Sequence, residues 1–114
     1  MDLRDYLKKA LEVKLYGGDE ISPLFSNLTH LCLGLGGECG ELLEKIKKQI
    51  RDKKCELSEK DKELISKELG DIIWYWSAIC DELQLDPNYV LKQNLEKVED
   101  RLKREVLKGN GDER

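Results

Sequence analysis

A chain of 114 residues, with 39% hydrophobic and 39% charged side chains, is long enough for one modest core and too short for two. Its 20 basic residues against 24 acidic ones leave a net charge of −4, without the basic footprint that binding to a polymeric nucleic acid requires. No apolar run approaches the roughly 18 residues of a membrane span, and Met1-Asp2-Leu3-Arg4-Asp5 opens no signal peptide. The expectation is one cytoplasmic domain over residues 1–114, clear of membranes.

Hydrophobic periodicity gives four helices and no strand, an all-α chain. Asp2 caps a first helix in which Leu3, Tyr6, Leu7, Ala10 and Leu11 form one stripe to about Leu15, with Gly17-Gly18 as its stop. Ser22-Pro23 is a cap followed by a first-turn proline, and it opens a long second helix to about Lys53. The apolar stripe of that helix is Leu24, Leu28, Leu31, Leu35, Cys39, Leu42, Ile46 and Ile50. Ser58 with Asp61 resembles a capping box and starts a third helix, with inner positions Leu64, Ile65, Leu69, Ile72, Ile73, Trp76, Ile79 and Leu83 and an end near Leu85. Asp86-Pro87 repeats the cap-plus-proline signal, and Val90, Leu91, Leu95, Val98, Leu102 and Val106 carry a fourth helix to Gly109. The residues after it read as frayed. The fold expected is a four-helix, bundle-like unit of antiparallel helices completed by oligomerisation, since so small a unit with this many apolar faces gains core by association.

Cys32, Cys39, Cys55 and Cys80 have no CxxC spacing and His30 is the single histidine, so spacing gives little support for a zinc site. Cys32, Cys39 and Cys80 read as small buried hydrophobes, and Cys55 as an exposed loop residue.

Two acidic pairs carry the chemistry. Glu38 and Glu41 lie three residues apart in GLGGECGELLEK, and Glu68 and Asp71 lie three apart in KELGDIIWYW. Each pair shares a helix face, and carboxylates among Gly, Leu, Cys, Ile and Trp are costly to bury without compensation. Four such oxygen donors suit a hard divalent cation. Spacing alone is weak, because 24 acidic residues in 114 generate about five such pairs by chance, most of them solvated. The context is what sets these two apart. Gly34, Gly36, Gly37 and Gly40 crowd a stretch that otherwise reads as helix, at about 1 kcal/mol each relative to Ala, and close approach of another backbone or a ligand would offset that cost. The competing reading is a kink or break. If the second and third helices are joined by a short connection, Glu41 and Glu68 both lie some 15 Å from the turn, level with each other.

The run His30-Leu-Cys-Leu-Gly-Leu-Gly-Gly-Glu38-Cys-Gly-Glu41-Leu-Leu-Glu-Lys, followed by Glu68-Leu-Gly-Asp71-Ile-Ile-Trp-Tyr75, resembles the ExxE and ExxD motifs of the MazG-like all-α nucleoside triphosphate pyrophosphohydrolases. Asn94-Leu-Glu-Lys97-Val-Glu-Asp-Arg101 resembles the Asn, Lys, Arg helix of that family, so the likeness covers roughly residues 28–104. The resemblance implies that Glu38, Glu41, Glu68 and Asp71 bind Mg²⁺, with Mn²⁺ as a substitute. It also implies that water attacks the α-phosphorus of an NTP or dNTP to give the monophosphate and pyrophosphate. On this reading Glu38 or Glu41 handles the nucleophilic water, and Asn94, Lys97 and Arg101 face the phosphates and a polar base or sugar edge. By helical spacing from Glu38 and Glu41, Lys45 or Lys48 reaches phosphate and His30 lies at the pocket edge, with a satisfied structural histidine as the competing reading, and Tyr75, four residues after Asp71, contacts the base. Family members of this kind assemble as dimers or tetramers, which implies a homodimer or homotetramer with Trp74 packed against another subunit, and a role in nucleotide-pool cleansing.

Two other classes compete. A di-iron carboxylate bundle needs ExxH motifs from two helices, and the single histidine has no glutamate three residues before it. A non-catalytic interaction or nucleotide-binding module would account for the amphipathic stripes but not for four carboxylates in Gly-rich, apolar contexts.

Overall fold

In a computed structural model, described for residues 2–12, 21–52, 55–105 and 111–112, the chain forms four α-helices. These are α1 (Leu3–Leu11), α2 (Pro23–Asp52), α3 (Glu59–Glu82) and α4 (Pro87–Lys103), with no strand among the described residues. The all-α class is therefore observed.

The helix starts follow the capping chemistry. The backbone N–H of Asp5 donates to Asp2 at 3.0 Å, that of Phe25 to Ser22 Oγ at 3.3 Å, that of Asp61 to Ser58 Oγ at 3.1 Å and that of Asn88 to Asp86 at 2.9 Å. Each bond satisfies a donor that the first turn leaves without an intrahelical partner. The Ser58–Asp61 pair is reciprocal, because the Ser58 N–H donates back to Asp61 Oδ2 at 2.9 Å.

The ends are less regular. α3 stops at Glu82, with Gln84 at φ 56°, and α4 stops at Lys103, with Glu105 at φ 58°, so α4 is shorter than its apolar periodicity suggests. A left-handed residue cannot continue the α-helical hydrogen-bond ladder. Leu15 and the Gly17-Gly18 stop expected for α1, and Val106 and the Gly109 stop expected for α4, lie outside the described residues.

α2 and α3 are the pair packed along their lengths, as an antiparallel hairpin. Asn27 Nδ2 donates to Glu82 Oε1 at 2.9 Å, joining the start of α2 to the end of α3. Three positions are enough to fix the register: this bond, the contact of Gly34 with the Tyr75 ring, and the connection after Asp52. That register sets Glu41 opposite Glu68 and Glu38 opposite Asp71. The glycine-rich stretch runs through α2 without a break. A Cβ on Gly34 would overlap the Tyr75 ring, whereas Gly36, Gly37 and Gly40 face open space. Close approach within the chain therefore explains Gly34 and not the other three.

Among the described residues, neither α1 nor α4 has an extensive packed interface with another helix. The radius of gyration is 19.8 Å, against about 13 Å for a compact chain of this length. Among the described residues the one buried hydrophobic side chain is Cys80. Cys39 is half-buried, while Cys32, placed among the buried positions by sequence, is exposed, as is Cys55. Leu24, Ile46 and Ile50 of the second-helix stripe and Leu69, Ile73 and Leu83, read as inner positions of the third, are exposed too, because among the described residues α2 and α3 pack extensively only against each other. No helix among the described residues is long and apolar enough to cross a membrane.

Candidate metal and nucleotide site

The half-buried stripe of α2 runs Leu28, Leu31, Gly34, Leu35, Glu38, Cys39, Leu42, Lys45 and Gln49. Its spacing is that of an apolar contact face, yet a carboxylate, an ammonium and an amide occupy three of its positions. From α3 the matching face contributes Glu68, only 8% exposed. Glu38, Glu41 and Glu68 each offer a carboxylate oxygen, and these oxygens lie within 4.8 Å of one another. Glu38 and Glu68 are the inner members, whereas Glu41 and Asp71 are exposed on the outer side. Asp71 is not one of that tight trio, but it is near enough for its charge to act on Glu38.

The electrostatics divide the inner pair. Loss of solvent, then the charges of Glu41 and Asp71, then a hydrogen bond donated by the Glu38 carboxyl to Glu68 push Glu38 above its ordinary range. Lys45 does the opposite for Glu68: its Nζ donates to Glu68 Oε1 at 3.1 Å and holds that carboxyl below the ordinary range. Even so, Oε2 of Glu38 and Oε2 of Glu68 are buried with no hydrogen-bond partner. Two buried acceptors without donors, beside a third carboxylate, form an oxygen set suited to a hard divalent cation, and burying them otherwise carries an uncompensated cost.

The remaining residues singled out by sequence are arranged around this cluster unevenly. Tyr75, half-buried, lies against Gly34 and makes an edge-on contact with Trp74, with ring centroids 5.0 Å apart. Trp74 is 61% exposed. His30 is exposed on α2, eight residues before Glu38 and so about 12 Å along the helix. Lys48 pairs with Glu44 rather than with the cluster, at 4.0 Å. Asn94 and Lys97 line a hollow with Val90, Gln93 and Glu96, all on α4. Lys97 Nζ and Arg101 Nη2 bond to Asp112 and not to the carboxylates.

Two features escaped the sequence. The Lys45–Glu68 pair was legible in principle, because Lys45 follows Glu41 by four residues and α3 runs antiparallel beside it. The contact of Asp112 with Lys97 and Arg101 has no periodic signal that could have announced it.

A model of the MazG nucleotide pyrophosphohydrolase domain family matches residues 26–106. The chain is 32% identical over 109 residues to the Gene 37 protein of Mycobacterium phage L5, a match that covers 96% of each chain. No solved structure gives a significant match. The family model spans both acidic motifs and the basic helix, and with the phage relative aligned along almost the whole length, the chain belongs to the MazG nucleotide pyrophosphohydrolase domain family.

Proposed function

We propose that the protein is a Mg²⁺-dependent nucleoside triphosphate pyrophosphohydrolase, cleaving an NTP or dNTP into the monophosphate and pyrophosphate. The observation that carries this reading is the pair of orphaned, buried carboxylate oxygens on Glu38 and Glu68 within the carboxylate trio. Glu38, Glu41 and Glu68 would hold the cation, with Asp71 completing the set, and Mn²⁺ would substitute. When bound, the ion neutralises triphosphate charge and acts as a Lewis acid on the reacting phosphorus centre.

The chain's own residues supply the rest. Glu38, half-buried within the carboxylate trio, is the group assigned to take a proton from the attacking water. Glu41, exposed beside it, orients that water. Lys45 stands beside Glu68 and turns to the phosphate chain when substrate enters. The Tyr75 ring, seated on Gly34 next to the acidic layer, stacks on the base, and His30 marks the pocket edge. Asn94, Lys97 and Arg101 bind phosphate and a base or sugar edge.

The bare chain supports assembly as a homodimer or homotetramer. It exposes 9928 Å², whereas a compact 13.2-kDa monomer exposes about 6400 Å². Leu33, Trp74, Leu91, Leu95 and Leu102 are each more than half exposed. Covering those faces would supply the core that α2 and α3 alone do not, and would bring α4 to an acidic site. The expected role is nucleotide-pool cleansing in the cytoplasm by a single domain over residues 1–114.

The test is pyrophosphate release from a panel of canonical and modified NTPs and dNTPs with Mg²⁺, beside a Glu38→Gln, Glu41→Gln double variant. Release of pyrophosphate by the wild type alone supports the reading. Silence of folded protein across the panel would move it to a binding module that keeps the scaffold without the chemistry.

A further inference from the structure

We propose that Asp112 is a built-in competitor for the triphosphate, a carboxylate that occupies the cationic site of α4 until a polyphosphate displaces it. The proposal rests on the reading of Lys97 and Arg101 as phosphate-binding residues. Lys97 and Arg101 lie four residues apart, on one face of α4. A single side chain neutralises both: Asp112 Oδ1 accepts from Lys97 Nζ at 3.0 Å and from Arg101 Nη2 at 3.3 Å. The main chain joins in, because Arg101 Nη2 also donates to the Asp112 carbonyl at 2.6 Å and to the Gly111 carbonyl at 3.4 Å. The two cations hold the Asp112 carboxyl below its ordinary range, so it stays ionised wherever a triphosphate would be its rival.

Two observations separate this arrangement from an ordinary structural ion pair. Arg101 is only 5% exposed, yet its Nε is buried with no hydrogen-bond partner. A guanidinium presents Nε and Nη2 as a fork that a phosphate or carboxylate fills with two oxygens. Asp112 fills one prong and leaves the other empty. The second observation is that the Asp112 side chain is 84% exposed, so most of it stands in solvent. A carboxylate bound through one oxygen and otherwise in solvent is readily exchanged for a ligand with more oxygens and more charge. Ion pairs with such exposed partners are individually weak, so the competition is modest and reversible.

The consequence is a lowered apparent affinity for polyphosphate, by the fraction of molecules in which Asp112 holds the site. The experiment compares wild type, Asp112→Asn and a chain lacking residues 111–114. Each is titrated calorimetrically with inorganic tripolyphosphate, and each is assayed for KM and kcat on the best NTP of the panel. Asp112→Asn keeps the main-chain bonds to Arg101, so it guards against a loss that merely reflects disorder around α4. Both variants are expected to bind tripolyphosphate about fivefold more tightly than wild type. KM should fall by a similar factor at unchanged kcat, and adding Lys97→Ala to Asp112→Asn should cancel the gain. Equal or weaker binding by both variants overturns the proposal and makes Asp112 a prop for Arg101. The tripolyphosphate arm needs no turnover, so absence of hydrolysis would fail the proposed function while still deciding the role of Asp112.

Discussion

Lys45 Nζ sits 3.1 Å from Glu68 Oε1, across the α2–α3 interface and within a turn of the carboxylate trio. Without a bound cation this ammonium is the positive charge that offsets the cluster, and it leaves Glu38 Oε2 and Glu68 Oε2 without a donor. Replacing Lys45 with Met keeps the stem and deletes the charge, so three converging carboxylates lose their counter-ion. The expected result is a metal-free melting temperature lower by a few degrees, with a larger stabilisation by Mg²⁺ than in the wild type. Paired melts in chelator and in Mg²⁺ check it, and an unchanged metal response would remove Lys45 from the site.

The inner glutamates should respond to pH in opposite senses in the metal-free protein. The folded carboxyl of Glu38 is raised above its ordinary 4.5, so its contribution to stability is present below that value and is lost as pH rises through the folded value. The Glu68 carboxyl is lowered below 4.5, so its contribution is present above that value and is lost as pH falls through the folded one. In chelator near neutral pH, Glu38→Gln should therefore melt above wild type, with the gap closing toward about pH 4. Glu68→Gln should melt below wild type, and that gap should also close on acidification. Melting curves across that range, with both variants shifting in one direction, would contradict the assignment.

Gly34 gives a test of the hairpin itself. A methyl group there would run into the Tyr75 ring, so Gly34→Ala should destabilise by about 1–3 kcal/mol. Combining it with Tyr75→Ala removes the clash, and the double variant should be less destabilised than the two single effects summed. Urea melts of the four proteins read this coupling, and strict additivity would mean that the two residues do not meet.

Leu33 probes assembly, because it is 71% exposed on α2. On a monomer, Leu33→Glu should change stability by no more than about 0.5 kcal/mol. In the proposed homo-oligomer it should lower the mass seen by light scattering and weaken the dependence of melting temperature on protein concentration. A monomeric wild type would rule the assembly out.

Much of this architecture was legible in the residues. Ser22-Pro23, Ser58 with Asp61, and Asp86-Pro87 announce helix starts because each cap answers a local shortage of hydrogen-bond acceptors, a property of neighbouring residues alone. Counting residues from the α2–α3 turn likewise put Glu41 level with Glu68, since helical rise is constant. Burial was less legible. Leu69, Ile73 and the α4 stripe of Leu91, Leu95 and Leu102 have the spacing of a core face, but periodicity says only that a face is apolar and not what covers it. The left-handed residue Glu105 and the return of Asp112 to Lys97 depend on contacts distant in sequence or on single dihedral angles, which no periodic pattern encodes.

Hydrolysis in oxygen-18 water, with the products separated and weighed by mass spectrometry, tests the central claim most directly. Attack of water on the α-phosphorus places the label in the nucleoside monophosphate and none in pyrophosphate, with Mg²⁺ required and the Glu38→Gln, Glu41→Gln variant silent. Label in pyrophosphate, release of inorganic phosphate instead, or undiminished turnover by the double variant would contradict the account.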